Sequence, residues 1–246
     1  MASGRTTTKP SRKRRVAQVA PKQSRWRWLW MPFKWAGIVL LGYLLACALL
    51  LVAYRWVDPP VTTVQVQRFT EAAISGEPYS LSYDPVTEEE QDIDARRAVV
   101  TSEDARFYTH HGFDAVELRA AVEEARAGGR VRGASTISQQ LVKNLFLTTH
   151  GSWIRKGLEV PLTVMAEVIL PKERILTLYL NSAEWGPGVF GLEAAARHHY
   201  GTSASVLSRD QSARLAACLP APLDRRPQEM SRTSRRIQTR MRQMGW

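Results

Sequence analysis

The twelve residues GASTISQQLVKN, positions 133–144, combine a helix start with an unusually polar helix surface. Thr136 followed three positions later by Gln139 makes a T-x-x-Q capping box, and Leu141, Leu145 and Phe146 then recur at helical spacing. Ser135, Gln139 and Lys143 stand at i, i+4 and i+8, which sets a hydroxyl, an amide and an ammonium along one face. Scattered polar residues ordinarily mark a solvated face, but such faces carry long Lys and Glu stems. Ser, Thr, Gln and Asn are short hydrogen-bonding groups that solubilise poorly. The stretch is therefore read as a helix presenting a binding face for an anion or a sugar.

Working outward, helical signals dominate. Asp114 can cap a helix through Val116, Leu118 and Val122 that stops at Gly128-Gly129. Pro171 can open a helix carrying Ile175, Leu176, Leu178 and Leu180, and Gly201 can stop the apolar segment 189–200. Ser208 and Gln211 repeat the capping box before Leu215 and Leu219. Residues 61–95 mix short β-prone pieces with Gly, Pro and acids and read as a linker and entry region, after the break at Asp58-Pro59-Pro60. No long alternating strand pattern and no repeat of about 20–50 residues occurs, so the domain is read as mainly α.

The chain has 246 residues, 44% of them apolar, which suits one substantial domain with extra segments. Its net charge of +11 is unevenly placed. Residues 1–34 hold ten Lys or Arg and no acid, residues 225–246 hold seven with Glu229 as the only acid, and the stretch 35–224 has 17 basic against 22 acidic residues. A central region of net negative charge is a poor surface for a polyphosphate duplex, so nucleic acid is not an expected partner. From Trp35 to Tyr54, 20 residues carry no formal charge, the length of one membrane-spanning helix. Trp26, Trp28, Trp30 and Trp35 crowd one end and Tyr54 and Trp56 the other, as interface anchors. The basic block before the span places the N-terminus in the cytoplasm and exports the chain beyond Arg55. The organisation expected is a basic disordered tail at 1–34, a span at 35–54, a catalytic domain at 58–222 and a basic C-terminal segment at 223–246. Removal of residues 1–57 is expected to leave the fold intact. Cys47, inside the apolar run, and Cys218 are not expected to pair.

Two further clusters carry chemistry. In TSEDARFYTH, positions 101–110, Glu103 and Asp104 are adjacent carboxylates followed by aromatics and a His, so one acid can sit in a partly apolar pocket with a raised pKa. A Glu-Asp pair is by itself more often a helix start or an exposed loop. In RKGLE, positions 155–159, Arg155 and Glu159 face each other at i, i+4 in the order that helps a helix less, so stability explains the pair poorly. Adjacent His110-His111 and His198-His199 cannot readily aim at one ion, and no metal ligand set is read from spacing.

Together these clusters resemble the peptidoglycan glycosyltransferase family, whose motifs read E-D-x-x-F-x-x-H-x-G, G-x-S-T-I-x-Q-Q-x-x-K-N and R-K-x-x-E. They are matched in order by Glu103–Gly112, Gly133–Asn144 and Arg155–Glu159, and a fourth, K-x-x-I-L-x-x-Y-L-N, by Lys172–Asn181. The segment Gly191–Gly201 is similar to the family's G-x-E-A-A-A stretch. The short anchor resembles the monofunctional biosynthetic transglycosylases, and no Ser-x-x-Lys or Lys-Thr-Gly of a transpeptidase occurs. The resemblance implies a lysozyme-like helical domain with a smaller membrane-proximal lobe and a long cleft. It implies polymerisation of lipid II into β-1,4-linked strands, with inversion and release of undecaprenyl diphosphate.

By the same resemblance Glu103 matches the general base and Glu159 the second carboxylate. Ser135, Thr136, Gln139, Gln140, Lys143, Arg155 and Lys156 would bind substrate, which suits a diphosphate leaving group that needs cations and donors. Asp104, Phe107, His110 and Asn144 would order the pocket. No cofactor is required, although a divalent Mg or Mn ion can bridge a diphosphate. The partners implied are lipid II, the growing lipid-linked glycan, the membrane and other cell-wall synthesis or division proteins. Pro161 disfavours helix at Val160 and removes a bond to Gly157, so a kink is expected beside Glu159. A lytic enzyme of the same polymer and a silent scaffold are the competing readings; the cationic Ser-Gln-Lys face and the anchor speak against the first, the intact Glu103 and Glu159 against the second.

Overall fold

The computed structural model describes residues 26–129, 133 and 135–246, with side chains from residue 30 onward. The tail before residue 26 and the side chains of Trp26 and Trp28 lie outside the described residues. The chain divides into two units, the first ending at Gly42 and the second running from Tyr43 to Trp246. Helix α1 (Trp26–Ala53) contributes to both, and its stretch Trp30–Ala53 is long and apolar enough to cross a membrane.

Within the second unit, the last turns of α1 are core. Cys47 and Leu51 are buried, the Tyr43 hydroxyl donates to the Phe146 carbonyl at 2.8 Å, and Tyr54 stacks on Phe146. This corrects the expectation that residues 1–57 can be lost without cost to the fold. An apolar run fit for lipid is equally fit to pack on protein, and composition does not separate the two. Both cysteines are free and buried.

Helix α2 (Thr63–Ser75) occupies the segment expected to be linker. Thr62 and Gln65 form a reciprocal capping box at its start, and Gly76, at φ 72°, closes it in the left-handed conformation. The expected caps are present at α4 (Ala115–Arg126) with Asp114, at α5 (Ile137–Phe146) with Thr136 and Gln139, and at α9 (Arg209–Cys218) with Ser208 and Gln211. Between them lie α3 (Ile93–Glu103), α6 (Trp153–Ile169), α7 (Lys172–Ser182) and α8 (Leu192–Tyr200), the last stopped by Gly201.

Helix α7 is the hub: every residue from Ile175 to Ser182 is buried, so it packs on all sides. It lies against α5, which also meets α2 and α6. Helix α10 (Ser231–Gln243), in the basic C-terminal segment, packs on α3 and α9 through Ser234, Ile237 and Met241. Leu141, Leu162, Leu176 and Leu180 are fully enclosed in the shared core, each worth ~1.5–3 kcal/mol of transfer from water. A small sheet, β1 (Ser82–Tyr83), β2 (Glu184–Gly186) and β3 (Val189–Phe190), has order β1-β3-β2, with β1 parallel and β2 antiparallel to β3. Gly188 turns β2 into β3 at φ 72°, where a Cβ would stand 2.2 Å from the Ser80 carbonyl oxygen.

The kink expected at Pro161 does not end α6, which runs unbroken for 17 residues. The carbonyl that a proline ring crowds belongs to Gly157, where nothing stands within 4 Å of a Cβ position and the backbone has room to tilt. Thr163 donates its hydroxyl to the Glu159 carbonyl at 2.7 Å, which ties the two turns across the proline.

Candidate active site

Helix α3 ends at Glu103, and Asp104 leaves it with non-helical backbone while its N–H still donates to the Val100 carbonyl. The Asp104 carboxylate accepts the Ile137 backbone N–H at 3.1 Å, and both its oxygens lie within 3.0 Å of His110 Nε2. One buried acid thus caps the first turn of α5 from a distance and fixes the imidazole. Phe107 is wholly buried beneath the Lys172 ammonium, 4.4 Å above its ring. The loop closes at Gly112, φ 89°, whose carbonyl accepts the Thr136 hydroxyl at 2.6 Å. Lys172 also pairs with Glu167, and Ser138 donates to the same carboxylate. Asp104, Phe107 and His110 are accordingly spent on holding the loop against α5, and Asn144 is buried one turn beyond Gln140.

Glu103 accepts a hydrogen bond from Gln140 Nε2 at 2.9 Å, and Gln140 Oε1 in turn accepts the hydroxyl of the buried Tyr179 at 2.9 Å. Burial pushes the Glu103 carboxyl above the usual carboxylate range; the Gln140 bond, Lys143 and Arg225 pull the other way and only reduce the rise. Burial lowers the Lys143 ammonium, Glu159 opposes that, and the like charges of Arg155 and Lys156 add to the lowering. Glu159 itself is buried on α6 with Arg155 Nη1 and Lys156 Nζ each 2.7 Å from one of its oxygens. A carboxylate paired to two cations, with the Lys143 charge near enough to feel it, keeps them together while leaving a net positive site.

On the other side of Glu103 opens a cavity of about 390 Å³, lined among others by Asp104, Gly133, Ser135, Glu117 and Arg240. Ser135 therefore reaches the cleft, but not as the first residue of a helical row. Helix α5 starts at Ile137, so Ser135 precedes it and shares no helix face with Gln139 and Lys143. Thr136 and Gln139 are engaged with one another: the Gln139 side-chain Oε1 accepts the Thr136 backbone N–H at 3.1 Å, and the Thr136 hydroxyl accepts the Gln139 backbone N–H at 3.2 Å. The pair thus closes the capping box at the start of α5. Gln140 faces Glu103 and so positions the carboxyl.

Asp104, His110 and Asp114 bring their ligand atoms within 4.8 Å of one another, a grouping that sequence spacing does not suggest. Most of these atoms already have partners, although the buried His110 Nδ1 has no hydrogen bond. His110 Nε2 serves Asp104, Asp114 Oδ1 caps α4, and the Arg106 guanidinium stands 3.2 Å from Asp114 Oδ2, where a cation would be repelled.

Two carboxyls and a cation cluster on three helices, with a cleft beside them, suit transfer of a group from an anionic leaving group. Comparison with known proteins agrees: the family model described as transglycosylase matches residues 74–245. The chain belongs to the transglycosylase family. Three similar proteins, each named biosynthetic peptidoglycan transglycosylase, come from Pseudomonas putida, Pseudomonas aeruginosa and Chromohalobacter salexigens. The two Pseudomonas proteins are 47% identical over 184 residues, 75% of this chain and 78% and 79% of theirs. The Chromohalobacter protein is 45% identical over 222 residues, 89% of this chain and 95% of its own.

The match to residue 245 takes α10 into the transglycosylase domain. Tyr179 is the tyrosine of the motif matched at Lys172–Asn181, and the fold uses its hydroxyl to hold Gln140. Glu167 and Ser138, which the motifs do not single out, give no signal in the sequence, because their meeting depends on the packing of α5 against α6.

Proposed function

We propose that this transglycosylase extends glycan strands by joining lipid II to a growing lipid-linked chain, with Glu103 as the base. Glu103 takes the proton from the acceptor's sugar hydroxyl as that oxygen attacks the donor's anomeric carbon. The new β-1,4 bond forms as the bond to the diphosphate breaks, the configuration inverts, and undecaprenyl diphosphate leaves with the electron pair. The observation that carries this reading is the half-buried Glu103 carboxyl, raised by burial and oriented by Gln140, beside the cationic cluster of Lys143, Arg155 and Lys156 at Glu159. The cations answer the charge that develops on the diphosphate. The reading needs no cofactor; a Mg or Mn ion carried on the diphosphate would add positive charge there, with Glu159 already paired to two cations.

The substrate's lipid fits a membrane setting. Besides the span in α1, helix α6 exposes Trp153, Val160, Val164 and Val168 along one side, an apolar surface that suits contact with a bilayer. The basic block before the span supports a cytoplasmic N-terminus and a catalytic domain on the periplasmic side. The test is to incubate purified protein with lipid II in detergent and separate the products. Uncrosslinked polymer, formed equally with and without β-lactam, is expected. Cleavage of preformed strands without polymer would replace this reading by the lytic one.

A further inference from the structure

Helix α10 contains five arginines and no acid. Arg232, Arg235 and Arg236 point away from the buried side formed by Ser234, Ile237 and Met241, and with Thr239, Arg240 and Gln243 they line a shallow groove. Arg232, Arg236 and Arg240 recur at i, i+4 and i+8, where like charges repel and weaken a helix. A merely solvated face would carry acids among them, as the rest of the domain does: Arg155 pairs with Glu159, Arg197 with Glu193 and Arg214 with Asp210. Among the described residues, Arg232, Arg235, Arg236 and Arg240 have no acidic partner within ion-pair distance. Arg240 also lines the cavity that Glu103 lines, so one end of the strip borders that cavity.

We propose that the arginine face of α10 is a docking strip for the glycan strand, gripping the carboxylates of the peptides that the strand carries. This rests on the reading of the domain as a peptidoglycan polymerase. The strip from Arg232 to Arg240 covers ~12 Å of helix, enough to engage more than one carboxylate. Guanidinium forks match carboxylates in pairs, and arginine suits this better than lysine. An anionic lipid surface would also attract the charge. A helix that lies on a membrane, however, turns apolar residues toward the lipid, whereas the large apolar residues of α10 face inward and none is exposed there. Exposed apolar residues of this domain lie instead on other helices, α6 among them with Trp153, Ile154 and Val168.

The experiment uses the full chain and three probes: uncrosslinked glycan fragments bearing peptides and the same fragments stripped of peptides, both in detergent, and phosphatidylglycerol vesicles after the detergent has been removed. The parent should bind the peptide-bearing fragments with an affinity that falls as salt rises, and the stripped ones far more weakly. Replacing Arg232, Arg235 and Arg236 together by Gln should weaken binding of the peptide-bearing fragments roughly tenfold or more and shorten the strands made from lipid II. Replacement of all three by Lys keeps the charge but not the forks and should retain only part of the binding, and neither variant should melt below the parent, because a like-charge row has been relieved or kept. Equal binding of stripped and peptide-bearing fragments, salt-independent binding by the parent, or a loss confined to vesicle binding overturns the proposal. A parent that binds strands yet makes no polymer would overturn the polymerase reading while leaving the strip in place.

Discussion

Glu103 and Glu159 are both enclosed carboxylates, yet their surroundings set them opposite tasks. Glu103 has one neutral donor, Gln140, and its proton affinity is raised by burial. A base works only when deprotonated, so kcat/KM should rise with pH through a pKa above the ordinary carboxylate value. Gln140→Leu removes a bond made to the charged form and should move that acid limb to still higher pH; a limb that stays in place in a pH–rate profile would remove Gln140 from the base's control. The linkage has a definite sign. A raised folded pKa means that stability from this group is fully present below the unfolded carboxyl pKa and is lost as pH rises through the folded one. Glu103→Gln should therefore lower polymerisation ~100- to 10,000-fold, keep donor affinity, and melt no lower than the parent at neutral pH. Glu159→Gln should do the reverse on stability, because it strands Arg155 and Lys156; a loss of about 3 kcal/mol is the scale for breaking a buried pair. Donor affinity should change with it, measured with a diphosphate-bearing lipid analogue, and an unchanged affinity would move Glu159 into the reaction centre.

At the scale of elements, the loop from Asp104 to Gly112 is held between α5 and α6, and Gly112 is its tightest point. A Cβ there would stand 2.8 Å from Thr163 Cγ2 and 3.1 Å from Glu167 Cγ, at a φ of 89° that side chains rarely adopt. Gly112→Ala should cost ~1–3 kcal/mol in denaturant unfolding and slow polymerisation, since the Thr136 anchor on the Gly112 carbonyl shifts with it. A variant with unchanged stability would show that the loop relaxes without effect. Helix starts are legible in the sequence because a cap is a local contract between neighbours, as at Asp114, Thr136 and Ser208. The same T-x-x-Q box at Thr62 and Gln65 lies in a stretch dominated by breakers, which disguises α2 as linker. Strands of two or three residues are too short to show alternation, so the sheet leaves no mark in the sequence. Within the site, the motifs name Glu103, Lys143, Arg155, Lys156 and Glu159, which do converge. What the motifs do not reveal is which polar groups the fold itself consumes: Thr136 and Gln139 go to a cap, and Tyr179 reaches Gln140 only through the packing of α7 on α5.

For the whole molecule, the decisive question is where the anchor stops and the catalytic domain begins. Hydropathy puts one apolar helix across the N-terminal region, yet the compact body starts at Tyr43, inside that helix. Beyond this point α1 gives the domain Cys47 and Leu51, both buried, and the Tyr43 hydroxyl bond to Phe146. Tyr54 and Asp58 add the carbonyl and carboxylate that hold Arg174, at 2.7 Å and 3.4 Å. Two truncations should therefore behave differently. Deletion of residues 1–42 leaves the apolar helix too short to span but removes no buried side chain among the described residues, so the detergent-solubilised protein should melt as the full chain does. Deletion of residues 1–57 strips Leu51 from a filled core and should cost at least ~2–5 kcal/mol, the range for emptying one large aliphatic site. In liposomes containing lipid II, both should polymerise more slowly than the full chain, because the span concentrates the cleft at the surface where both substrates reside. In detergent, where that concentration effect is lost, only the longer deletion should remain impaired. Equal melting of the two truncations would place the domain boundary after Trp56, and equal liposome turnover of the full chain and the shorter deletion would remove the anchor from any part in catalysis.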